Sequence, residues 1–355
     1  MKIEYIIAFI IFFLVGLGLA FLFLFPVIDK EFSQLGVKSN GKPYVEIVNP
    51  SGFVNTDGIT IKELIGKKVI LVDFLTYSCI NCQRTFPYLN AWYAKYKDQG
   101  LEIIGIHTPE FAFEKDINNV REAMKGYGIM HPIVLDNNYA TWGAYNNNYW
   151  PRKYLIDING NIVYDHIGEG AYEETEMKIR ELLEERAKLL GTTLENRDNL
   201  LVVDSKSNGA NNPRSPETYF GSERNEYLKN GVSGKSGEQS FIVPTSYTKN
   251  ALYLDGAWNI KNEFAETVSE SKIIYRYNAK EVYIVAESDV SSVVKVFQDG
   301  KLVFDSAGVD VDAKGSVVIQ KSRLYKLINN KTHGEHTLEL KVEGSGVRFY
   351  AFTFG

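Results

Sequence analysis

The two cysteines of this 355-residue chain, Cys79 and Cys82, form a single C-x-x-C motif. The apolar run KVILVDF at residues 68–74 precedes them and predicts a buried strand, and residues 84–97 predict a helix that the motif opens. A thiol at a helix N-terminus faces free N–H groups, which favour its thiolate. A second thiol three positions later can attack the mixed disulfide that the first one forms. The pair therefore predicts thiol–disulfide exchange, with Cys79 as the exposed nucleophile and Cys82 as the shielded resolving thiol.

Zinc binding, a structural disulfide and a pair of inert thiols each fit the motif less well. Structural zinc needs four ligands, and beyond the two cysteines the chain offers five histidines, namely His107, His131, His166, His333 and His336. The His333-x-x-His336 pair lies in the distal part of the chain with an unusual spacing for zinc. A permanent disulfide across two residues would constrain little loop entropy, and two inert thiols fit poorly with a helix start. We therefore expect no metal and no cofactor beyond a redox-active Cys79–Cys82 disulfide.

Two residues near the motif each allow two interpretations. Asp73 lies six positions before Cys79 in the predicted strand. If it is buried, its raised pKa lets it take the proton of Cys82, but it could equally cap a turn at the strand end. Pro151 follows Trp150 and could start an edge strand. It could also form a cis-proline turn that offers the Trp150 backbone to an extended substrate.

The composition is that of an ordinary globular protein. Hydrophobic residues make up 45% and charged residues 23% of the chain, which excludes wholesale disorder. The formal net charge is −5, so the chain lacks the basic surplus of a nucleic-acid-binding protein. Two cysteines also exclude a disulfide scaffold.

An uncharged apolar stretch of 24 residues, 5–28, stands at the N-terminus. At ~1.5 Å per residue it can cross ~30 Å of hydrocarbon. It is longer than a usual signal-peptide core and continues past the best cleavage pair, Gly18 and Ala20, so an uncleaved anchor is favoured over a cleaved signal. Lys2 before the span predicts a cytoplasmic N-terminus and extracytoplasmic globular domains on a single-pass membrane protein.

The chain divides into an anchor, a tether and two predicted domains joined by a linker. Residues 1–30 form the anchor, 31–43 a polar tether, and 193–216 a linker rich in Gly, Pro, Asn and Ser. Residues 44–192 alternate strands (68–74, 101–106, 133–135, 153–158, 162–167) with helices (84–97, 114–124, 173–190), which predicts an α/β domain with helices on both sheet faces. Residues 217–355 carry short strands (273–277, 281–286, 293–298, 301–305, 316–319, 337–342, 347–354), which predict an antiparallel sandwich.

Several long segments resemble the thioredoxin superfamily. TYSCINCQRTFPYLNAWYAKYKDQGLEIIGIHTPEFAFEKDINNV and DNNYATWGAYNNNYWPRKYLID are similar to its exported, membrane-tethered TlpA/ResA-like branch and to the thioredoxin-like portion of DipZ-type proteins. SPETYFGSERN, LDGAWNI and GVRFYAFTFG resemble the C-terminal domain of the DipZ type. The resemblance implies an α/β thioredoxin-like domain followed by an all-β sandwich like a carbohydrate-binding module, behind one N-terminal transmembrane helix.

The resemblance also implies roles for individual residues. Cys79 becomes the attacking thiol, Cys82 the resolving thiol, Asp73 the buried acid and Pro151 the cis-proline. The residues that flank these positions are the candidates for substrate binding, namely Tyr77, Ile80, Asn81 and Trp150. Ser78 stands where thioredoxins usually have Trp, and Ile80-Asn81 replaces Gly-Pro. Because these residues tune thiolate stability, the redox potential does not carry over.

The expected function is a membrane-anchored, extracytoplasmic thiol–disulfide oxidoreductase that reduces the disulfides of exported protein clients, a role that the resemblance links to cytochrome c biogenesis. DipZ-type proteins also carry a multi-span electron-transporting domain that resembles CcdA or DsbD. A chain with one span cannot supply that domain. A separate CcdA/DsbD-like membrane electron donor is therefore an expected partner.

Three further functions compete with this one. A peroxiredoxin-like thiol peroxidase has partial support from Thr76-x-x-Cys79, although Val72 stands where that pattern has Pro. Copper delivery is a second, because two thiolates with His107 or His166 suit Cu(I). A glycan-binding module is the third. Seven aromatic residues of the second domain could form an exposed face on which sugar rings stack, or they could be ordinary core residues of the sandwich. They are Tyr253, Trp258, Tyr275, Tyr283, Tyr325, Phe349 and Tyr350. Cell-wall glycan is therefore a further expected partner.

Overall fold

The computed structural model describes residues 41–193 and 214–355. The expected anchor, nearly all of the tether and most of the linker lie outside these residues. Within the two described stretches, no helix is long and apolar enough to cross a membrane.

The first domain is built on one mixed sheet. Its strands are β1 (Lys42–Pro43), β2 (Gly52–Val54), β3 (Val69–Leu75), β4 (Leu101–His107), β5 (Ile133–Leu135), β6 (Arg152–Ile156) and β7 (Asn161–Ile167). Its helices are α1 (Ile61–Leu64), α2 (Ile80–Tyr96), α3 (Ile117–Gly126), α4 (Ala140–Ala144) and α5 (Tyr172–Leu190), with 3₁₀ turns at Lys97–Gln99 and Ala112–Lys115. The strand order is β7-β6-β3-β4-β5-β2. β3, β4 and β5 are parallel, and β6 and β7 are antiparallel additions.

Apolar side chains cover both faces of this sheet. Leu89 of α2 and Leu183 of α5 belong to the core cluster on one face. Ile61 of α1 and Trp142 of α4 pack with the cluster on the other face. The α/β prediction with helices on both faces is confirmed. Sequence patterning missed β2, α1 and α4 because each has five residues or fewer, too short to show a period.

Two helices begin at residues other than those predicted. The helix predicted at 84–97 begins at Ile80, so the cysteine motif lies within its first turn. The helix predicted at 114–124 is split, because Asp116 ends the 3₁₀ turn and caps α3 by accepting a hydrogen bond from the Asn118 N–H at 2.8 Å. The split leaves Glu114 in a tight turn rather than on a helix face.

The second domain consists of antiparallel strands. They are β8 (Thr218–Tyr219), β9 (Gly237–Phe241), β10 (Leu252–Ile260), β11 (Ala265–Thr267), β12 (Ser271–Ser288), β13 (Ser292–Gln298), β14 (Lys301–Leu302), β15 (Ser316–Ile319), β16 (Arg323–Val342) and β17 (Val347–Phe354). The first half of β12 pairs with β10 and its second half with β17, while β16 follows it on the other side. A long strand that exchanges partners in this way lets the sheet fold over its own core.

The predicted strands 273–277 and 281–286 are therefore one strand, interrupted by a register shift between Ala279 and Glu281. The aromatic residues that suggested a sugar-stacking face are at most 6% exposed. Trp258, Tyr275 and Phe349 lie in the main core of the domain. These aromatic side chains are core residues, so the alternative of an exposed stacking face is wrong.

Candidate functional site

The cysteine motif lies where the central strand β3 passes into α2. Cys79 is the N-cap residue of α2, with extended backbone angles. It is half-buried, whereas Cys82, one turn into the helix, is completely buried, and both are free thiols. A half-buried cysteine at a helix start can be reached by a client disulfide. The helix itself shields the second thiol.

Burial raises the pKa of the Cys82 thiol well above its ordinary value. The hydrogen bond with Cys79 and the negative charge of Asp73 act in the same direction, whereas a hydrogen bond with the Thr76 backbone opposes them. Cys82 therefore stays a thiol until a nearby group takes its proton, which is the state required of a resolving thiol at rest.

Asp73 is the buried acid next to this thiol. It lies in β3 with no exposed surface, and neither carboxylate oxygen has a hydrogen-bond partner within the described part of the chain. A turn cap accepts backbone hydrogen bonds, so the alternative that Asp73 caps a turn is wrong. Burial raises the pKa of Asp73 to about 7, and the charge of Lys153 opposes this rise. A carboxyl group with such a pKa can gain or lose a proton near neutrality.

Lys153 is the cross-strand neighbour of Asp73 in the β3–β6 pairing. It too is completely buried, and its Nζ donates a hydrogen bond to the Gly168 carbonyl at 3.2 Å. Burial lowers the pKa of Lys153 while the charges of Asp73 and Cys82 raise it. An ammonium group in this place stabilises negative charge on either Asp73 or Cys82.

Trp150 and Pro151 bring a third segment to the site. The peptide bond between them is cis, as the resemblance implies, and β6 begins at the next residue. The Trp150 Nε1–H donates to the Thr108 carbonyl at 3.1 Å, and its ring lies 4.3 Å from that of Trp142. These contacts fix Trp150 in the wall of a cleft that Cys79 also lines.

This cleft has a volume of about 390 Å³ and walls from both domains. The first domain contributes Ser78, Cys79, Ile80, Asn81, Glu110, Trp150 and Glu169. The second domain contributes Arg214, Ser215, Glu217, Tyr219, Arg224, Val285, Thr353 and Phe354. Three predicted binding residues, Ile80, Asn81 and Trp150, thus lie together with Cys79.

Tyr77, the fourth predicted binding residue, does not line this cleft. It is 2% exposed, and its hydroxyl donates to the Ser322 carbonyl of the second domain at 3.1 Å. Ile80 is also largely covered, because it packs in an apolar cluster with Tyr283 and Val285 of the second domain. The second domain therefore contacts the residue between the two cysteines directly.

Glu114 is a site residue that the sequence analysis missed. It is completely buried and accepts hydrogen bonds from the Ser78 hydroxyl at 2.6 Å and the Ser78 N–H at 3.3 Å. It also accepts from the N–H groups of Glu110 and Phe111. The carboxylate thus ties the residue before Cys79 to the 3₁₀ turn, and the one sequence signal for it is a Glu at the third position of that turn.

A cluster across the cleft was missed as well. The Tyr219 hydroxyl lies 2.8 Å from a carboxylate oxygen of Glu110 and 2.8 Å from one of Glu217. Arg224 forms an ion pair with Glu110 at 2.8 Å and stacks on the Tyr219 ring at 3.6 Å. No local pattern could have found this cluster, because Glu110 and Tyr219 are 109 positions apart.

Two of the histidines considered as metal ligands have other neighbours in the structure. His107 is completely buried and stacks on Tyr77 at 5.7 Å, and burial lowers its pKa to about 3. His336 lies in the second domain, 2.8 Å from Asp299. In residues 41–193 and 214–355, no three His, Cys, Asp or Glu side chains are grouped so that they could hold a metal ion.

Comparison with known proteins agrees with this geometry. Residues 53–183 match the Redoxin family, and residues 215–355 match the family described as thioredoxin like C-terminal domain. Protein DipZ of Mycobacterium tuberculosis is 34% identical over 340 residues, which cover 93% of this chain and 46% of that protein. The chain thus spans about half the length of this relative.

Two shorter relatives match the first domain. Thiol-disulfide oxidoreductase ResA of Bacillus thuringiensis is 33% identical over 158 residues, which cover 43% of this chain and 82% of that protein. Thiol-disulfide oxidoreductase YkuV of Bacillus subtilis is 28% identical over 144 residues, which cover 41% of this chain and 96% of that protein. The chain therefore belongs to the thioredoxin superfamily, as a relative of the ResA thiol-disulfide oxidoreductases with a second domain like that of DipZ.

Proposed function

We propose that this protein is a thiol–disulfide oxidoreductase that reduces disulfides in exported protein clients through Cys79 and Cys82. The observation that carries the proposal is the arrangement of the two thiols. Cys79 is accessible from the cleft at a helix N-terminus, and Cys82 is buried beside an acid whose pKa burial raises to about 7. This is the apparatus that two-step thiol–disulfide exchange requires.

In the first step, the Cys79 thiolate attacks one sulfur of the client disulfide. A bond forms between Cys79 Sγ and that sulfur, the client S–S bond breaks, and the other client sulfur leaves as a thiolate. Trp150 lines the same cleft as Cys79, so an extended client segment can lie there beside both residues.

In the second step, Cys82 gives its proton to Asp73 and attacks Cys79 Sγ. The mixed disulfide breaks, the second client sulfur leaves, and the Cys79–Cys82 disulfide forms. The client has gained two electrons and, with protons from the protein and water, two protons. Lys153 stabilises the negative charge that moves between Asp73 and Cys82 during this step.

The oxidised pair must then be reduced again, and the chain has no third cysteine to do this. We therefore include a separate membrane electron donor of the CcdA/DsbD-like class in the proposal. The apolar residues 5–28 support a membrane anchor with the domains outside the cytoplasm, where such a donor would deliver electrons. The aromatic residues considered for sugar stacking are buried, so we assign no glycan to the second domain.

The test uses two cysteine variants and the reduction potential. Cys82→Ser should trap a client or model peptide as a mixed disulfide on Cys79, visible by mass spectrometry, whereas Cys79→Ser should trap none. The equilibrium potential of the wild-type pair should lie near or below ~−230 mV, the range of thioredoxins and glutaredoxins. A potential near ~−120 mV would reverse the direction and make the protein a disulfide donor. Rapid peroxide consumption by reduced Cys82→Ser would instead favour the peroxidase.

A further inference from the structure

The cleft holds a second acid that two-step exchange through Cys79, Cys82 and Asp73 does not use. Glu217 lies on the wall that the second domain contributes, and Cys79 lies on the opposite side of the same cleft. Tyr219, Glu110 and Arg224 surround it.

The Tyr219 hydroxyl is 2.8 Å from both Glu110 and Glu217, yet it has only one proton to donate. It can satisfy one carboxylate, and the second contact requires a proton on the other carboxyl group. Arg224 forms its ion pair with Glu110 at 2.8 Å. Glu217 lies outside this ion pair, so the second proton of the cluster is assigned to its carboxyl group.

The surroundings of Glu217 favour the same protonation state. Burial in the cleft wall raises its pKa to about 7, the charge of Glu110 adds to this rise, and Arg224 and the Tyr219 hydrogen bond oppose it. Glu217 is nevertheless an exposed residue, so solvent screens part of this shift, and the direction is what the cluster supports. The proton is thus both held near neutrality and available to a molecule in the cleft.

The remaining polar groups of the cleft are poor proton donors. Glu169 is engaged in ion pairs with Arg84 at 3.3 Å and Arg214 at 4.0 Å. The pKa of Tyr219 is raised far above its ordinary value, mainly by burial. Asp73 is completely buried behind Cys82 and does not line the cleft. A thiolate expelled from a client therefore meets Glu217 as the acid of suitable strength among the described residues.

We propose that Glu217 is a general acid that protonates the client thiolate when Cys79 attacks the client disulfide. This rests on the exchange function proposed above. As the bond between Cys79 Sγ and one client sulfur forms, the client S–S bond breaks. The departing sulfur takes the proton of the Glu217 carboxyl group, which becomes a carboxylate. Solvent returns a proton to Glu217 before the next client binds.

The test compares two probe disulfides that differ in their need for this proton. The full reduced chain is mixed with oxidised glutathione, whose alkyl thiolate is basic, or with 5,5′-dithiobis(2-nitrobenzoate), whose aromatic thiolate is stable without protonation. General acid catalysis typically contributes about 100-fold or more, so we expect Glu217→Gln to lower the alkyl-to-aromatic rate ratio by about tenfold or more. Glu226→Gln changes an exposed carboxyl group outside the cleft and is the matched control.

The pH profile supplies a second readout. With the alkyl probe, the wild-type rate should fall as pH rises through the region in which Glu217 ionises, and Glu217→Gln should lack this alkaline limb. An equal loss with both probes, no loss with either, or an unchanged alkaline limb overturns the proposal. A wild-type chain that turns over neither probe overturns the exchange function and this proposal together.

Discussion

Replacing Asp73 with Asn should make the protein more stable at alkaline pH. The side chain has no hydrogen-bond partner to lose, and Asn has nearly the same shape. Burial raises the pKa of Asp73 from 3.8 to about 7. An unfolded carboxyl group ionises at the lower value, so the wild-type native state loses stability as pH rises from the unfolded pKa to the folded pKa.

The size of this loss follows from the shift. One pKa unit corresponds to about 1.4 kcal/mol, so a shift of about three units costs the wild type roughly 4 kcal/mol above neutrality. Asp73 is completely buried, so solvent does not screen this cost directly. Asp73→Asn removes it. The variant and wild type should differ least near pH 4, and the variant should gain up to about 4 kcal/mol by pH 8.

Urea-induced unfolding at several pH values, with the thiols kept reduced and tryptophan fluorescence as the signal, measures this difference. Asp57→Asn is the matched control, because Asp57 is exposed in the same domain. A difference between Asp73→Asn and wild type that does not change with pH would refute the assignment of a raised pKa to Asp73. Destabilisation confined to alkaline pH would show the opposite sign and would mean that the ionised carboxylate is stabilised.

Three further substitutions test contacts elsewhere in the first domain. Lys153→Met should raise the pKa of Asp73 further, so the free energy of unfolding of this variant should keep falling at pH values where that of the wild type has levelled off. The same series of urea unfolding experiments measures this difference. Glu114→Gln places an amide N–H₂ group among N–H and O–H donors, so it should lower the free energy of unfolding in urea by about 2–3 kcal/mol. An unchanged free energy of unfolding would contradict the hydrogen-bond network. Ile80→Ala should lower the free energy of unfolding by about 2–5 kcal/mol, because Ile80 packs in an apolar cluster. The control Ile242→Ala changes a side chain that is 85% exposed and should lower it by less than about 0.5 kcal/mol.

The sequence was sufficient to predict the local parts of the site. Cys79 and Cys82 follow a strand whose residues are all buried, and they open a helix, as the apolar run and the aromatic spacing indicate. The strand β5 has the predicted bounds because a short apolar run between turn signals is a local pattern. The helix start at Ile80 is less visible, since a first turn with two buried residues, Ile80 and Cys82, is too short to show an apolar period.

The cleft itself could not be predicted, because it depends on contacts between residues far apart in sequence. Ala112 of the first domain donates its N–H to Glu263 of the second at 2.9 Å, across 151 positions. Arg84 of α2 forms an ion pair with Glu281 of β12 at 3.2 Å. A polar segment between two patterned regions predicts a linker, but it carries no information on whether the flanking domains touch.

The contact between the domains changes what the active site must provide. Protons move in opposite directions in the two steps: Cys82 passes a proton inward to Asp73, while the client sulfur must receive one on the side of Cys79. At an open helix N-terminus water can supply that second proton. Here Val285 and Phe354 of the second domain form part of the cleft wall beside Cys79, so a bound client displaces much of the water. A domain that covers a thiol in this way slows the exchange unless it also brings an acid, and Glu217 is the acid on the wall that it adds.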